Sequence, residues 1–148
     1  MKPMTVNGWL LLATAIGMLI PATARAQFDE SRVRARLPAQ ELAILKRVAD
    51  KYRLTPDQRA LLYGTRILEN GRLGSGIEMG VGQEQPGHRA RRYAGNWRKS
   101  LELQAIHAAG TIKRRYRGDL QAYARRWCPR KAAAWAGTMR ELLKGQGA

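Results

Sequence analysis

The stretch RILENGRLGSGIEMGVGQEQ, residues 66–85, decides how this chain is read. An apolar helical run ends on a carboxylate, Glu69, and a glycine-rich segment follows at once with two more, Glu78 and Glu84. The chain has 11 acidic residues against 27 Lys and Arg. Three carboxylates gathered in so short a span point to an acid/base site, with a helix end and a polar turn as the plain alternative. The helix that leads into the stretch has a well-specified start. Thr55-Pro56-Asp57-Gln58 combines a capping Thr, Pro at the first helical position and Gln three residues past the cap, which is a capping box. From there the helix runs through ALLYGTRILEN to Gly71, where tolerance of positive φ suits a helix end. Glu69 is seven positions beyond Leu62, about 20° away around the helix axis. It therefore stands beside the buried stripe, partly stripped of water and facing the carbonyl end of the helix dipole.

Working outward, the residues before the capping box repeat apolar positions at three- and four-residue steps: Leu42, Leu45, Val48, Ala49 and Tyr52. That period predicts an amphipathic helix opening at Pro38 and closing near Leu54. The segment ahead of it, QFDESRVRARL, is polar and charged, and residues 27–38 are expected to be a flexible lead-in. On the other side, residues 71–96 hold many glycines and one short apolar patch, so they read as a long loop with a small β-hairpin at IEMGV. Loops of that length in small domains carry function or are disordered. Asn96 then caps a long helix marked by Trp97, Leu101, Ala105, Ala108, Ile112 and Tyr116, closed at Gly118. Asp119 caps a short helix, DLQAYARRW, stopped by Cys128-Pro129. A last helix spans roughly residues 130–144, with Trp135, Met139, Leu142 and Leu143 inward. The expected fold class is all-α.

The chain begins with a short basic region at Lys2, an apolar run over residues 9–20 and a small-x-small pattern at Ala24-Arg25-Ala26. This is the layout of a secretory signal, with cleavage expected before Gln27 and residues 1–26 removed. The apolar run is shorter than the ~20 residues a spanning helix needs, so no stable membrane insertion is expected afterwards. The remaining 122 residues suffice for one hydrophobic core, and residues 39–145 are expected to form one domain, a monomer. Losing Lys2 and Arg25 takes the formal charge from +16 to +14. A field of that size attracts anionic polymers at long range. For an exported, periplasmic or extracellular protein these are cell-wall glycan strands and other anionic envelope polymers; nucleic acid is not an expected partner.

Several chemistries lack their residues. Cys128 is the only cysteine, which rules out an intramolecular disulfide. His88 and His107 have no metal-ligand spacing, with no HExxH, Cys pair or His-x-His, so neither a metal nor another cofactor is expected. Ser75 does not sit in GxSxG.

Glu69 ending a helix, then Glu-Asn-Gly, then Gly-x-Glu-x-Gly-Val over residues 76–81, a long helix and the closing DLQAYARRWCP…AAWAGTMRELL together resemble the lysozyme-like superfamily. The similarity is nearest to bacterial lytic transglycosylases and related glucosaminidases, and covers about residues 57–143. It implies a small lysozyme-like domain with a long glycine-rich active-site loop, cleaving peptidoglycan with Glu69 as general acid and then base. Soluble lytic transglycosylases show Glu-Ser and a Gly-Leu-Met-Gln turn; here the positions read Glu69-Asn70 and Met79-Gly80-Val81-Gly82-Gln83, with Gln83 in the part of that glutamine. The resemblance further implies substrate contacts at Gly80, Val81 and Gln83 and a tyrosine hydroxyl near the acid, here Tyr123. Tyr93 and Trp97 are candidates to stack on sugar faces. Glu78 is the candidate second carboxylate if water is the acceptor, with Glu84 behind it. The rival expectation is a non-catalytic exported cationic module of the same fold, binding wall glycan or another polyanion.

Overall fold

A computed structural model of the chain describes residues 27–80 and 92–144. Among these there is no strand, and the architecture is all-α. Six helices follow in order: α1 Glu30–Arg34, α2 Ala39–Lys51, α3 Pro56–Glu69, α4 Trp97–Arg115, α5 Leu120–Trp127 and α6 Ala132–Leu143, the last two joined by a 3-10 turn at Pro129–Lys131. Within the described residues no helix is long and apolar enough to cross a membrane.

The central element is α3, packed against α1, α2, α4 and α6. Ala60, Leu61, Leu62, Tyr63, Gly64, Thr65 and Arg66 are all buried, so this helix has no solvated face over two turns, as expected of a helix enclosed by others. Gly64 costs helix stability, about 1 kcal/mol relative to Ala, but lets α6 approach. A Cβ there would stand 2.7 Å from Met139 Sδ and 2.9 Å from a Leu143 methyl. Thr55 caps α3, and the capping box with Gln58 is complete in both directions. Leu45, Leu101, Ile112, Met139 and Leu143 complete the core around α3.

Two expectations are corrected. The lead-in is ordered: Asp29 caps α1 through Arg32 N–H, and Val33 is fully buried. The Gln27 and Phe28 amides donate to the Asp57 carboxylate, and Asp29 N–H donates to Leu143 O at 3.0 Å. Val33, with Phe28 and Leu37 packed against the core, and three backbone amide bonds fix a segment whose composition looks mostly solvated. The hairpin expected at IEMGV is a tight turn up to Gly80, with Gly80 N–H bonded to Ile77 O at 2.9 Å, because its apolar residue Met79 goes into the core instead of onto a sheet face.

Candidate active site

Helix α3 ends one residue earlier than the glycine suggested. Asn70 takes the left-handed position, φ 44°, as Asn does more readily than most residues. Gly71 is required for another reason: its Cα lies against the backbone of Ile77 and Glu78, where any Cβ would collide. Its amide donates to Glu78 O at 3.0 Å, so the loop turns back onto the helix end immediately.

The residue that holds this turn is Arg66, buried one turn before Glu69. Its Nε donates to Glu41 Oε2 at 2.7 Å, and its Nη1 donates to Gly71 O at 3.1 Å and Glu78 O at 2.9 Å. One guanidinium thus ties α2, the end of α3 and the loop together. Planar, multiply donating geometry is what suits Arg to this place.

Glu78, expected as a second catalytic carboxylate, completes the clamp. It is 0% exposed. Its Oε1 accepts from Gly74 N–H at 2.8 Å, and its Oε2 accepts from Ser100 Oγ at 2.6 Å and from Gln104 Nε2. The other end of the Gln104 amide accepts from Met79 N–H at 2.7 Å. With both oxygens taken by buried donors from the loop and α4, Glu78 fixes the loop and has no open oxygen for substrate or water. Its catalytic reading is therefore replaced by a structural one.

Glu69 is different. It is half-buried, and its Oε1 accepts from two indoles, Trp127 Nε1 at 3.1 Å and Trp135 Nε1 at 3.0 Å. Those tryptophans come from α5 and α6 across the Cys128-Pro129 break. They share a floor in Tyr123, which stacks on Trp127 with centroids 5.7 Å apart and meets Trp135 at 5.6 Å and 58°. Tyr123 was expected to touch sugar. It is 0% exposed, so it supports the indoles and reaches no ligand. Burial, and secondarily the charge of Glu69, push its phenol well above the usual tyrosine range. Its hydroxyl makes no well-formed hydrogen bond among the described residues, and the neighbouring Thr65 hydroxyl gives its proton to Leu61 O at 2.7 Å.

The second oxygen of Glu69 faces Gly80. This residue has φ +67°, and a Cβ on it would run into Oε2 and Cδ of the Glu69 carboxyl. Gly80 itself is exposed. Two constraints therefore converge on one position, and Gly80→Ala tests them. Left-handed backbone costs a residue with a Cβ about 1–2 kcal/mol, a modest loss in melting temperature. If Glu69 carries the cleavage expected from the sequence, displacing its carboxyl should cost about 100-fold in turnover, the scale of a misplacement of about 1 Å. An alanine variant with unchanged turnover would separate Gly80 from the Glu69 oxygen.

Of the other expected contacts, Tyr93 lies at the surface. It is 37% exposed, and the turn that carries it is joined to the loop by Gly95 N–H to Gly74 O at 2.8 Å. Leu73 and Ile77, from the loop itself, are the other large exposed apolar residues among those described. Trp97 is half-buried, with Arg98 over its ring at 4.5 Å. Val81, Gln83 and Glu84 fall outside the described residues. No group of His, Cys, Asp and Glu among the described residues is arranged to hold a metal. The structure thus brings together Glu69, Gly80, Trp127 and Trp135. The indoles were legible only as apolar helix positions, since nothing local links Trp127 and Trp135 to a carboxylate some sixty residues earlier.

The arrangement can hold a carboxyl in one orientation at the edge of the core. One oxygen accepts from both indoles, leaving the other as the oxygen that can carry and release a proton. Compared with known proteins, the chain matches no family model, no curated protein and no solved structure.

Proposed function

We propose that this chain is an exported enzyme that cleaves the glycan strands of bacterial peptidoglycan, with Glu69 as a single general acid and then base. The observation that carries the reading is the Glu69 carboxyl itself: half-buried at the carbonyl end of α3, held at Oε1 by two indole N–H groups and bordered at Oε2 by Gly80. A negatively chargeable group is disfavoured at a helix C-terminus. A glutamine would accept the same two bonds without that cost, so a purely structural role leaves the carboxylate unexplained.

With Glu78 committed to the loop, the chemistry that suits Glu69 needs only one carboxylate. Glu69 Oε2 gives its proton to the glycosidic oxygen as the bond from C1 to that oxygen breaks. The neighbouring acetamido oxygen of the sugar stabilises the electron-poor C1. The Glu69 carboxylate then takes the proton of the sugar's own hydroxyl as that oxygen closes on C1, giving an anhydro ring and returning the acid to its starting state. A hydrolase would use a second carboxylate or an activated water, with the two carboxyl groups about 5–9.5 Å apart. Tyr93, Leu73 and Ile77 are exposed apolar side chains of a kind suited to sugar faces, and the +14 charge favours an anionic wall polymer.

The test is product analysis. The mature protein incubated with purified peptidoglycan should release fragments lighter by one water than those of a hydrolase, read by mass spectrometry. Hydrolysed ends would keep the glycosidase reading and discard the single-carboxylate route. No fragments, with the protein still bound to wall material, would leave a cationic binding module.

A further inference from the structure

We infer that the Asp57 carboxylate is the binding site for the amino terminus created by removal of residues 1–26; that cut rests on the export proposed above and is independent of the glycan chemistry. Gln27 N lies 2.8 Å from Asp57 Oδ1 and 3.0 Å from Oδ2, and Phe28 N–H donates to Oδ1 at 3.0 Å. Among the described residues, Gln27 N is the one main-chain nitrogen with both oxygens of a carboxylate within 3.0 Å. An uncut chain has a single hydrogen on that nitrogen and must share it between two acceptors. A chain cut before Gln27 has an ammonium there, with a proton for each oxygen and a positive charge opposite the negative one.

The surroundings hold both partners in place. Asp57 is the second residue of α3, two past the Thr55 cap, where the helix dipole favours a carboxylate. Asp57 and Phe28 are partly buried, while Gln27 is exposed. Phe28 packs on the core, its ring 6.1 Å from that of Tyr116. Asp29 N–H donates to Leu143 O, the Arg32 guanidinium donates to Lys144 O, and Val33 is fully buried. Residues 27–33 therefore join the start of α3 to the end of α6. The small-x-small pattern at Ala24-Arg25-Ala26 puts the expected cut at the residue whose nitrogen the fold already holds.

A carboxylate this close raises an α-amine above its ordinary range of about 7.7–8.0. The pair thus stabilises the fold fully below about pH 7.7, and the contribution is lost as pH rises through the raised value. The other titratable groups near the segment are its own Asp29 and Glu30, and Tyr116 at the end of α4. Burial, then Asp57 and Asp119, push the Tyr116 phenol up to about 12, so it stays neutral while the amine titrates. Pairing also protects the terminus. An amino-terminal glutamine cyclises when its uncharged amine attacks the side-chain Cδ: a new C–N bond forms, the Cδ–Nε2 bond breaks, and the amide nitrogen leaves with the amine's proton as ammonia. An amine held as ammonium by Asp57 has no lone pair for that attack.

The experiment uses the full mature chain, released from a cleavable fusion so that Gln27 carries a free amine, and the same chain acetylated at that amine. Each is made with and without Asp57→Asn, so any general cost of the substitution cancels when acetylation is compared within each background. At about pH 6, acetylation should lower the melting temperature of the Asp57 chain by about 1–4 °C and leave that of the Asp57→Asn chain unchanged. At about pH 10 the difference should be nearly gone. Loss of ammonia at about pH 7, followed by intact mass, should be about tenfold slower with Asp57 than with Asn, the effect of one unit in the amine. An acetylation effect of equal size in both backgrounds, none in either, or equal rates of ammonia loss would each overturn the site. Protein recovered outside the cytoplasm should have the mass of a chain starting at an intact Gln27; another start, or a cyclised Gln27, also overturns it. Glycan cleavage is scored separately. No fragments with the pair intact ends the catalytic reading alone, whereas fragments without the pair overturn the Asp57 site alone.

Discussion

Glu69→Gln is expected to lower peptidoglycan cleavage by about 10²–10⁴-fold, the usual contribution of a general acid–base group, and toward the upper end because one carboxyl serves both halves of the reaction. The fold should survive. The amide oxygen of Gln can accept from Trp127 and Trp135 as Glu69 Oε1 does now, at 3.1 and 3.0 Å. The amide nitrogen then takes the place of Oε2 against Gly80, with no proton to exchange at ordinary pH. The melting temperature should be equal or higher, since a carboxylate at a helix C-terminus is unfavourable and sites kept for function often sacrifice stability. Released fragments are counted by mass spectrometry, with wall binding measured on the same samples. Full activity in Glu69→Gln would remove this residue from the chemistry. Loss of activity accompanied by a large drop in melting temperature would make the carboxyl a structural element instead.

What the sequence showed of this architecture follows from how local its causes are. The Thr55 to Gln58 capping box and the Asn96 and Asp119 caps involve residues two or three positions apart, so the starts of α3, α4 and α5 are written in neighbouring letters. The buried stripe of α3 and the place of Glu69 beside it likewise follow from one helical period. The division of labour between Glu69 and Glu78 does not. Both are carboxylates beside glycines, and what separates them is contact with distant side chains. Ser100 and Gln104, 22 and 26 residues away, surround Glu78 with donors, while Trp127 and Trp135, 58 and 66 residues away, hold Glu69 at one oxygen only. The same holds for residues 27–37. Most of their charges are solvated as the composition implies, and the packing of Val33, Phe28 and Leu37 on the core, with backbone bonds to Asp57 and Leu143, turns them into an ordered edge.

The largest loss of stability should come from Arg66, a residue whose sequence context suggests no more than a basic side chain near a helix end. Arg66→Met removes the partner of Glu41, which is 5% exposed, and the donor for Gly71 O and Glu78 O. Breaking a buried ion pair from one side costs about 3–5 kcal/mol, because the remaining charge stays buried without compensation. For a domain of this size that is a fall of roughly 10–20 °C in melting temperature. Combining Arg66→Met with Glu41→Leu should restore most of the stability, since an apolar pair of similar volume often replaces a buried ion pair at little or no net cost. Activity should not return with it. The two loop carbonyls still lack their guanidinium donor, so residues 71–80 lose the clamp that sets Gly80 against Glu69. The double variant is therefore expected to melt near wild type yet cleave poorly, measured by thermal denaturation and fragment release in parallel. A single variant that melts within a few degrees of wild type would mean that Glu41 finds water or another donor. A double variant with full activity would mean that Glu78, through Gly74, Ser100 and Gln104, positions the loop without Arg66.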